Sequence, residues 1–183
     1  MAENLIQLIT KFSTARYAFL FFLLFQPFLM LNNIYWSPTF LERYGVEVLD
    51  LSLGLEHHEL VAILTTYGEV GRNHYLLFQL YDFFLPLFGA LFIVTWLGYL
   101  LKRFFGDSYS VMRFSTLGFL PMLADWTENL GYLYQTLFFP NVSTTVSAIT
   151  WYATHIKPGL LIGSMSILLI ATIAIFIIRP NKQ

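Results

Sequence analysis

The chain has 183 residues, of which 57% are apolar and only 11% are charged, whereas soluble domains carry about 25% charged residues. So few charges cannot cover a globule in water, and a net charge of −1 gives no general attraction for nucleic acid. The absence of cysteine excludes disulfides, thiolate nucleophiles and Cys-ligated metals.

Four apolar runs predict four membrane-spanning helices, since a hydrocarbon core needs about 20 helical residues. We interpret the first run as a retained span and not as a cleaved signal peptide, because Asn32 and Asn33 follow its apolar core where a small-residue cleavage site would stand. The sequence therefore predicts an all-α polytopic membrane protein, a four-helix bundle that forms one transmembrane domain over residues 1–183. The predicted spans cover about residues 17–36, 75–101, 112–139 and 158–178.

Residues 4–15, ahead of the first span, have an amphipathic pattern. We expect an interfacial helix here, or an inward extension of the first span. The apolar side chains at helical spacing are Leu5, Leu8, Ile9 and Phe12.

Residues 37–74 form the one sizeable outer loop of the predicted topology. Apolar side chains from Leu60 to Tyr67 make one helical stripe that stops at Gly68, the expected C-cap. The loop is therefore predicted to contain a short amphipathic helix across the outer mouth of the bundle.

Residues 140–157 form the second outer segment, and Ser143 or Thr144 is expected to cap a helix there. A helix from this cap to Ile178 would be about 52 Å long, which is too long for one straight span. Pro158 is therefore predicted to mark a bend.

The basic residues predict that both termini are cytoplasmic, because Lys and Arg are enriched in cytoplasmic loops. In a bacterium this membrane would be the inner one. The opposite side carries Arg43, Arg72 and Lys157, and acidic residues outnumber them there. The basic residues on the predicted cytoplasmic side are Lys11, Arg16, Lys102, Arg103, Arg113, Arg179 and Lys182.

The second predicted span contains an acidic residue, Asp82. An Asp at the bilayer centre costs about 3 kcal/mol and less near the interface, so the carboxyl is expected to turn away from lipid. Tyr75, Gln79 and Asp82 share one helical face with Pro86, whose missing N–H frees the Asp82 carbonyl.

The third predicted span repeats this arrangement. Pro121, Asp125, Glu128, Asn129 and Tyr132 lie on one helical stripe, and two acids with an amide cannot face lipid at low cost. The short turn at 102–111 makes the two spans antiparallel neighbours. We therefore expect the two polar stripes to point into the bundle and to meet in the outer half of the membrane.

Three basic side chains near the outer ends of the spans are the expected partners of these acids: Arg72, His155 and Lys157. Burial and mutual repulsion could also keep some of the carboxyls neutral. No catalytic residue is assigned. The predicted ligand-binding residues are Asp82, Asp125, Glu128, Asn129, Gln79, Tyr132, Arg72, His155 and Lys157.

Residues 56–59, Glu-His-His-Glu, have the composition of a metal site without its spacing. Adjacent residues on a helix point about 100° apart, so His57 and His58 would rarely share one ion. Facing His pairs for haem are also missing from the predicted spans. We predict neither a metal nor a cofactor.

Two motifs together resemble an uncharacterised family of small four-span membrane proteins. They are Tyr67-Gly68-x-x-Gly71-Arg72-x-x-Tyr75 and Asp125-x-x-Glu128-Asn129. With Asp82 and Pro86, the resemblance covers about residues 55–135 and implies that these positions act as one unit. A looser similarity is to the sterol-isomerase and sigma-2-receptor group, whose acidic residues line a sterol-sized intramembrane pocket. That similarity is one of theme and implies no residue-by-residue correspondence.

Three functions are compatible with the intramembrane acids. The first is a pocket that binds or transforms a hydrophobic small molecule or a membrane lipid. The second is a structural or assembly subunit whose polar stripes pair helices with a membrane-protein partner or in a homo-oligomer. The third is a proton or cation pathway, which the apolar inner halves of the spans disfavour. We rank them in this order.

Overall fold

The computed structural model describes residues 2–178, which are mostly helical and contain no strand. The predicted all-α class is confirmed. Arg179 and Lys182, which contributed to the predicted orientation, lie outside the described residues. The α-helices are α1 (Ala2–Phe12), α2 (Ala15–Leu31), α3 (Ser37–Tyr44), α4 (His57–Asp82), α5 (Phe84–Phe105), α6 (Tyr109–Met112), α7 (Leu120–Phe138) and α8 (Thr144–Ile178).

Shorter helical turns join several of these elements. A π-helical turn, Asn32–Trp36, continues α2 into α3, so residues 37–44 are helical where a loop was predicted. A 3-10 turn, Leu49–Leu51, lies in the connection between α3 and α4. A second 3-10 segment, Arg113–Phe119, leads into α7, whose second residue is Pro121. Proline is tolerated there because the first turn of a helix has no N–H partner to lose.

Three helical stretches are long and apolar enough to cross a membrane: Ala15–Tyr44, His57–Phe105 and Thr144–Ile175. They correspond to the first, second and fourth predicted spans and indicate a multi-pass membrane protein. The third predicted span, 112–139, corresponds to the second 3-10 segment and α7, which are not among these stretches.

The chain forms two compact units. The first comprises the residues up to Phe25, Leu87–Pro121 and the residues from Gly159 onward, and the second comprises Gln26–Pro86 and Met122–Pro158.

In the first unit, α1 packs through Ile6 and Ile9 on side chains of α5 and α6. Leu5 and Leu8, which were predicted to belong to the apolar face of this helix, are exposed. An apolar groove of about 380 Å³ lies elsewhere in this unit. Its lining residues are Phe19, Phe22, Phe92, Trp96, Met165, Leu168, Leu169 and Thr172.

In the second unit, α4 is interrupted at Gly68, where the predicted outer helix was expected to end. Gly68 has φ 60° and ψ −172°, a conformation essentially restricted to glycine. Arg72 Nη1 donates to the carbonyl of Leu64, 3.0 Å away, one turn before the break. The residues that follow Gly68 lead helically to Gln79 and Asp82.

Helix α8 begins as predicted. The Ser143 hydroxyl accepts a bond from the N–H of Val146 at 3.4 Å, and Thr144 is the first helical residue. Gln135 of α7 bonds both the N–H and the carbonyl of Ser143, at 2.8 and 2.7 Å. Pro158 lies inside this helix.

Close contact between α7 and α8 positions the polar stripe of α7. A Cβ added at Gly131 would lie 1.8 Å from Thr150 Oγ1, so glycine is required for this approach. The core beside it is aromatic, and its fully buried rings include Phe40, Tyr75, Phe78 and Tyr132.

Candidate functional site

Lys157 of α8 forms an ion pair with the acids of α7. Its Nζ lies 2.5 Å from Glu128 Oε2 and 3.6 Å from Asp125 Oδ2. Asp125 and Glu128 share a face because they are three residues apart on a helix. Lys157, next to the last residue of the second unit, contacts both of them. Of the three predicted basic partners, Lys157 therefore pairs with these acids.

Asp82 of α4 joins the same site through an amide. Asn129 Nδ2 donates to Asp82 Oδ2 at 2.7 Å, and both side chains are buried. At the C-terminal end of α4, the carbonyl of Phe83 accepts a bond from Trp126 Nε1 at 3.1 Å. Two hydrogen bonds therefore join the C-terminal end of α4 to α7, and the bond from Asn129 to Asp82 joins the two polar stripes.

A fourth acid, Asp50, enters from the connection between α3 and α4. The Tyr75 hydroxyl lies 3.2 Å from both Asp50 carboxylate oxygens, and Gln79 Nε2 lies 3.1 and 3.3 Å from them. Val48 and Leu49, both fully buried, hold the backbone in place.

The surroundings of Asp50 shift the pKa of its carboxyl. Burial raises the pKa of its carboxyl well above the usual range, and the charges of Asp82 and Glu128 raise it further, against a smaller lowering by Lys157. These groups therefore belong to one electrostatic cluster. We define the carboxylate cluster as Asp50, Asp82, Asp125 and Glu128 with Lys157, Gln79 and Asn129.

Asp50 was not among the predicted site residues. The available signal was the set of apolar neighbours Val48, Leu49 and Leu51, which indicates a buried segment.

Burial differs across the carboxylate cluster. Gln79, Glu128 and Asn129 have no exposed surface, whereas the side chains of Asp125 and Lys157 are 21% and 20% exposed. The cluster therefore has an accessible edge at Asp125 and Lys157 and a closed interior.

Three acceptor oxygens in the closed interior have no hydrogen-bond donor among the described residues: Gln79 Oε1, Asn129 Oδ1 and Glu128 Oε1. Glu128 Oε2 is ion-paired, since it lies 2.5 Å from Lys157 Nζ. Buried polar atoms almost always form hydrogen bonds, so three unbonded acceptors in one cluster indicate that the cluster does not supply all the donors it needs.

The other predicted ligand-binding residues have different surroundings. Arg72 bonds the Leu64 carbonyl and lies over the Phe139 ring, 4.3 Å from its centroid. His155 is exposed, stacks on Trp151 and bonds its carbonyl. Tyr132 is buried in the aromatic core.

A separate groove of about 320 Å³ in the second unit includes His57 and Ser147, whose Nδ1 and Oγ are 3.0 Å apart. It contains no member of the carboxylate cluster, and neither does the groove of the first unit. Within residues 2–178, no group of three or more His, Asp or Glu side chains is arranged to hold a metal ion.

No protein-family model, no curated protein and no solved structure matches the chain.

Proposed function

We propose that the chain is a four-span integral membrane protein with both termini cytoplasmic. Its carboxylate cluster binds the polar end of a hydrophobic small molecule or lipid. The fourth span is α7, together with the 3-10 segment before it. Its acids are turned inward, and its outward residues are large and apolar, as lipid requires. The exposed apolar residues of α7 are Leu120, Leu123, Leu130, Tyr134, Leu137 and Phe138.

One observation carries the proposed ligand site: the cluster is buried and acidic, and it is reached from one edge. Asp125 and Lys157 are about one-fifth exposed, while Glu128 behind them has no exposed surface. Polar networks that serve only to join helices are expected to satisfy their own members. The carboxylate cluster contains buried acceptors without hydrogen-bond donors, which supports a ligand site.

Cysteine labelling tests the topology directly, because the chain has no cysteine of its own. Single cysteines at Glu47, Asp107 and Asn141 are treated in intact cells with a membrane-impermeant maleimide. With four spans, Glu47 and Asn141 are labelled from outside and Asp107 is not. If the region from Arg113 to Phe138 does not cross, Asn141 behaves like Asp107 and the four-span proposal is wrong.

Mass spectrometry of small molecules extracted from the purified protein tests the ligand site. We expect one hydrophobic species to be enriched with the wild type and depleted from Asp82→Asn and Glu128→Gln. Glu69→Gln, an exposed position on α4, is the matched control and should retain it. Equal retention by all four proteins would remove the support for the site.

The second candidate is a structural subunit, favoured by the internal pairs of the cluster and by its separation from both grooves. In that case Asp82→Asn and Glu128→Gln lower stability or the recovery of a protein partner, and no small molecule copurifies with the wild type.

A further inference from the structure

The atoms left without partners in the carboxylate cluster are all acceptors. The amide orientations that create two of them follow from the neighbouring carboxylates, which need donors. Gln79 turns its NH₂ group to Asp50, and Asn129 turns its NH₂ group to Asp82. Their oxygens and Glu128 Oε1 are closed off from solvent and have no donor in the part of the chain that the structure describes.

Three donors on the surrounding helices are already engaged. The Tyr75 hydroxyl is held at Asp50, and Trp126 Nε1 bonds the Phe83 carbonyl. The Thr154 hydroxyl, on the helix that carries Lys157, gives its one proton to the carbonyl of Thr150 at 2.9 Å. An occupant that brings several N–H or O–H groups would supply the missing donors.

The charge of the cluster also specifies that occupant. Four carboxyls surround one lysine, whose Nζ is shared between Glu128 and Asp125. An anionic headgroup would be repelled. A neutral alcohol supplies one O–H and no charge. Among residues 2–178, no three carboxylate or imidazole groups converge as a metal ion would require.

We infer that the molecule bound at the carboxylate cluster carries a protonated amine, whose N–H groups donate to Glu128, Asn129 and Gln79. This inference rests on the proposed function, since it specifies the ligand of the same site. An ammonium combines a positive charge with up to three donors. Lys157 provides an example of an ammonium bound by Glu128, since its Nζ lies 2.5 Å from Oε2.

The test compares probes that share a C12 chain and differ in headgroup: dodecylamine, 1-dodecanol and dodecanoate. Binding to the full-length protein in nanodiscs is measured by native mass spectrometry and by thermal unfolding. We expect dodecylamine to bind and to raise Tm, with no saturable effect of the alcohol or the acid. In Glu128→Gln its Kd should rise at least about tenfold, and in Glu69→Gln it should not change.

Asp125→Asn gives a second variant at the partly exposed edge, in case Glu128→Gln does not fold. It too should weaken dodecylamine binding, while size-exclusion profiles report folding. Saturable binding of dodecanol instead, weakened by Asp125→Asn or Glu128→Gln, overturns the amine inference and leaves the ligand site standing. Stabilisation by MnCl₂ that these variants abolish would identify a metal site and also overturn it.

If none of the three probes binds, the amine inference fails. The extraction experiment then decides separately whether the site holds any ligand.

Discussion

Asn129 donates from Nδ2 to Asp82 Oδ2 across 2.7 Å, and this bond joins α7 to α4 inside the second unit. Within residues 2–178, this amide is the one hydrogen-bond donor to the buried carboxyl of Asp82.

Removing that donor should destabilise the fold. We expect Asn129→Ala to lower the free energy of unfolding by about 1–3 kcal/mol, the range for a buried bond to an acidic group. Unfolding is measured by titration with SDS. Thr127→Ala, an exposed position two residues away on the same helix, is the control and should stay near the wild type. An unchanged Asn129→Ala protein would contradict the bond.

Lys157 compensates the two acids of α7, so Lys157→Met should cost about 3 kcal/mol by leaving Glu128 buried without a counter-charge. The double variant Lys157→Met/Glu128→Gln removes both charges and should recover part of this loss. SDS titration of the wild type, both single variants and the double variant gives the coupling energy. Additive effects would mean that the two side chains do not interact.

The break in α4 requires glycine. A side chain at Gly68 would meet no neighbouring atom, so the cost of Gly68→Ala comes from the backbone conformation alone, about 1–3 kcal/mol. Gly159→Ala, also in open space but inside regular α8, should be neutral or slightly stabilising. Equal unfolding free energies for the two variants would show that α4 is not broken at Gly68.

The approach of α7 to α8 at Gly131 gives a steric test. Gly131→Ala places a Cβ 1.8 Å from Thr150 Oγ1 and should lower Tm by several degrees for each kcal/mol of strain. Shortening the opposing side chain with Thr150→Ala should restore part of the loss in the double variant. Differential scanning fluorimetry of both variants measures this, and a tolerated Gly131→Ala would place the helices farther apart.

Asp50 should make stability depend on pH. Its pKa is raised by burial and by Asp82 and Glu128, so the folded state keeps a proton that the unfolded chain releases. The contribution of Asp50 to the free energy of unfolding is therefore complete below about pH 4, the ordinary pKa of Asp. It is lost as the pH rises toward the pKa of the folded state.

Asp50→Asn keeps an acceptor for Tyr75 and should flatten this fall in the free energy of unfolding as the pH rises above about 4. Glu42→Gln, an exposed change, should leave it as steep as in the wild type. A variant at Asp50 with an undiminished slope would assign the pH dependence to other groups.

Helical periodicity was sufficient to group the polar residues within each helix. Gln79 with Asp82, and Asp125 with Glu128 and Asn129, follow from three- and four-residue spacing and from the cost of facing lipid. Such spacing describes one helix at a time, so it could not show that Asn129 turns its amide to Asp82.

Residues outside the regular pattern were harder to predict. Asp50 reaches the cluster because Val48 and Leu49 are buried in the aromatic core, a tertiary contact with no periodic signal. Residues 37–44 were assigned to a loop, but Pro38 falls in the first turn of α3, where proline is tolerated, and Phe40 is fully buried. Arg72 was expected to pair with the acids, but its guanidinium instead donates a hydrogen bond to the Leu64 carbonyl, one turn before the break in α4.

The position of Lys157 in the chain has a consequence for biosynthesis. Asp50, Asp82, Asp125 and Glu128 all leave the ribosome before Lys157, which forms ion pairs with two of them. Until α8 has been translated, the nascent protein carries four acids without their counter-charge, and insertion of the earlier helices has to proceed with those carboxyls protonated or hydrated. Translation arrested before Lys157 should therefore yield intermediates that the insertion machinery holds and does not release into lipid.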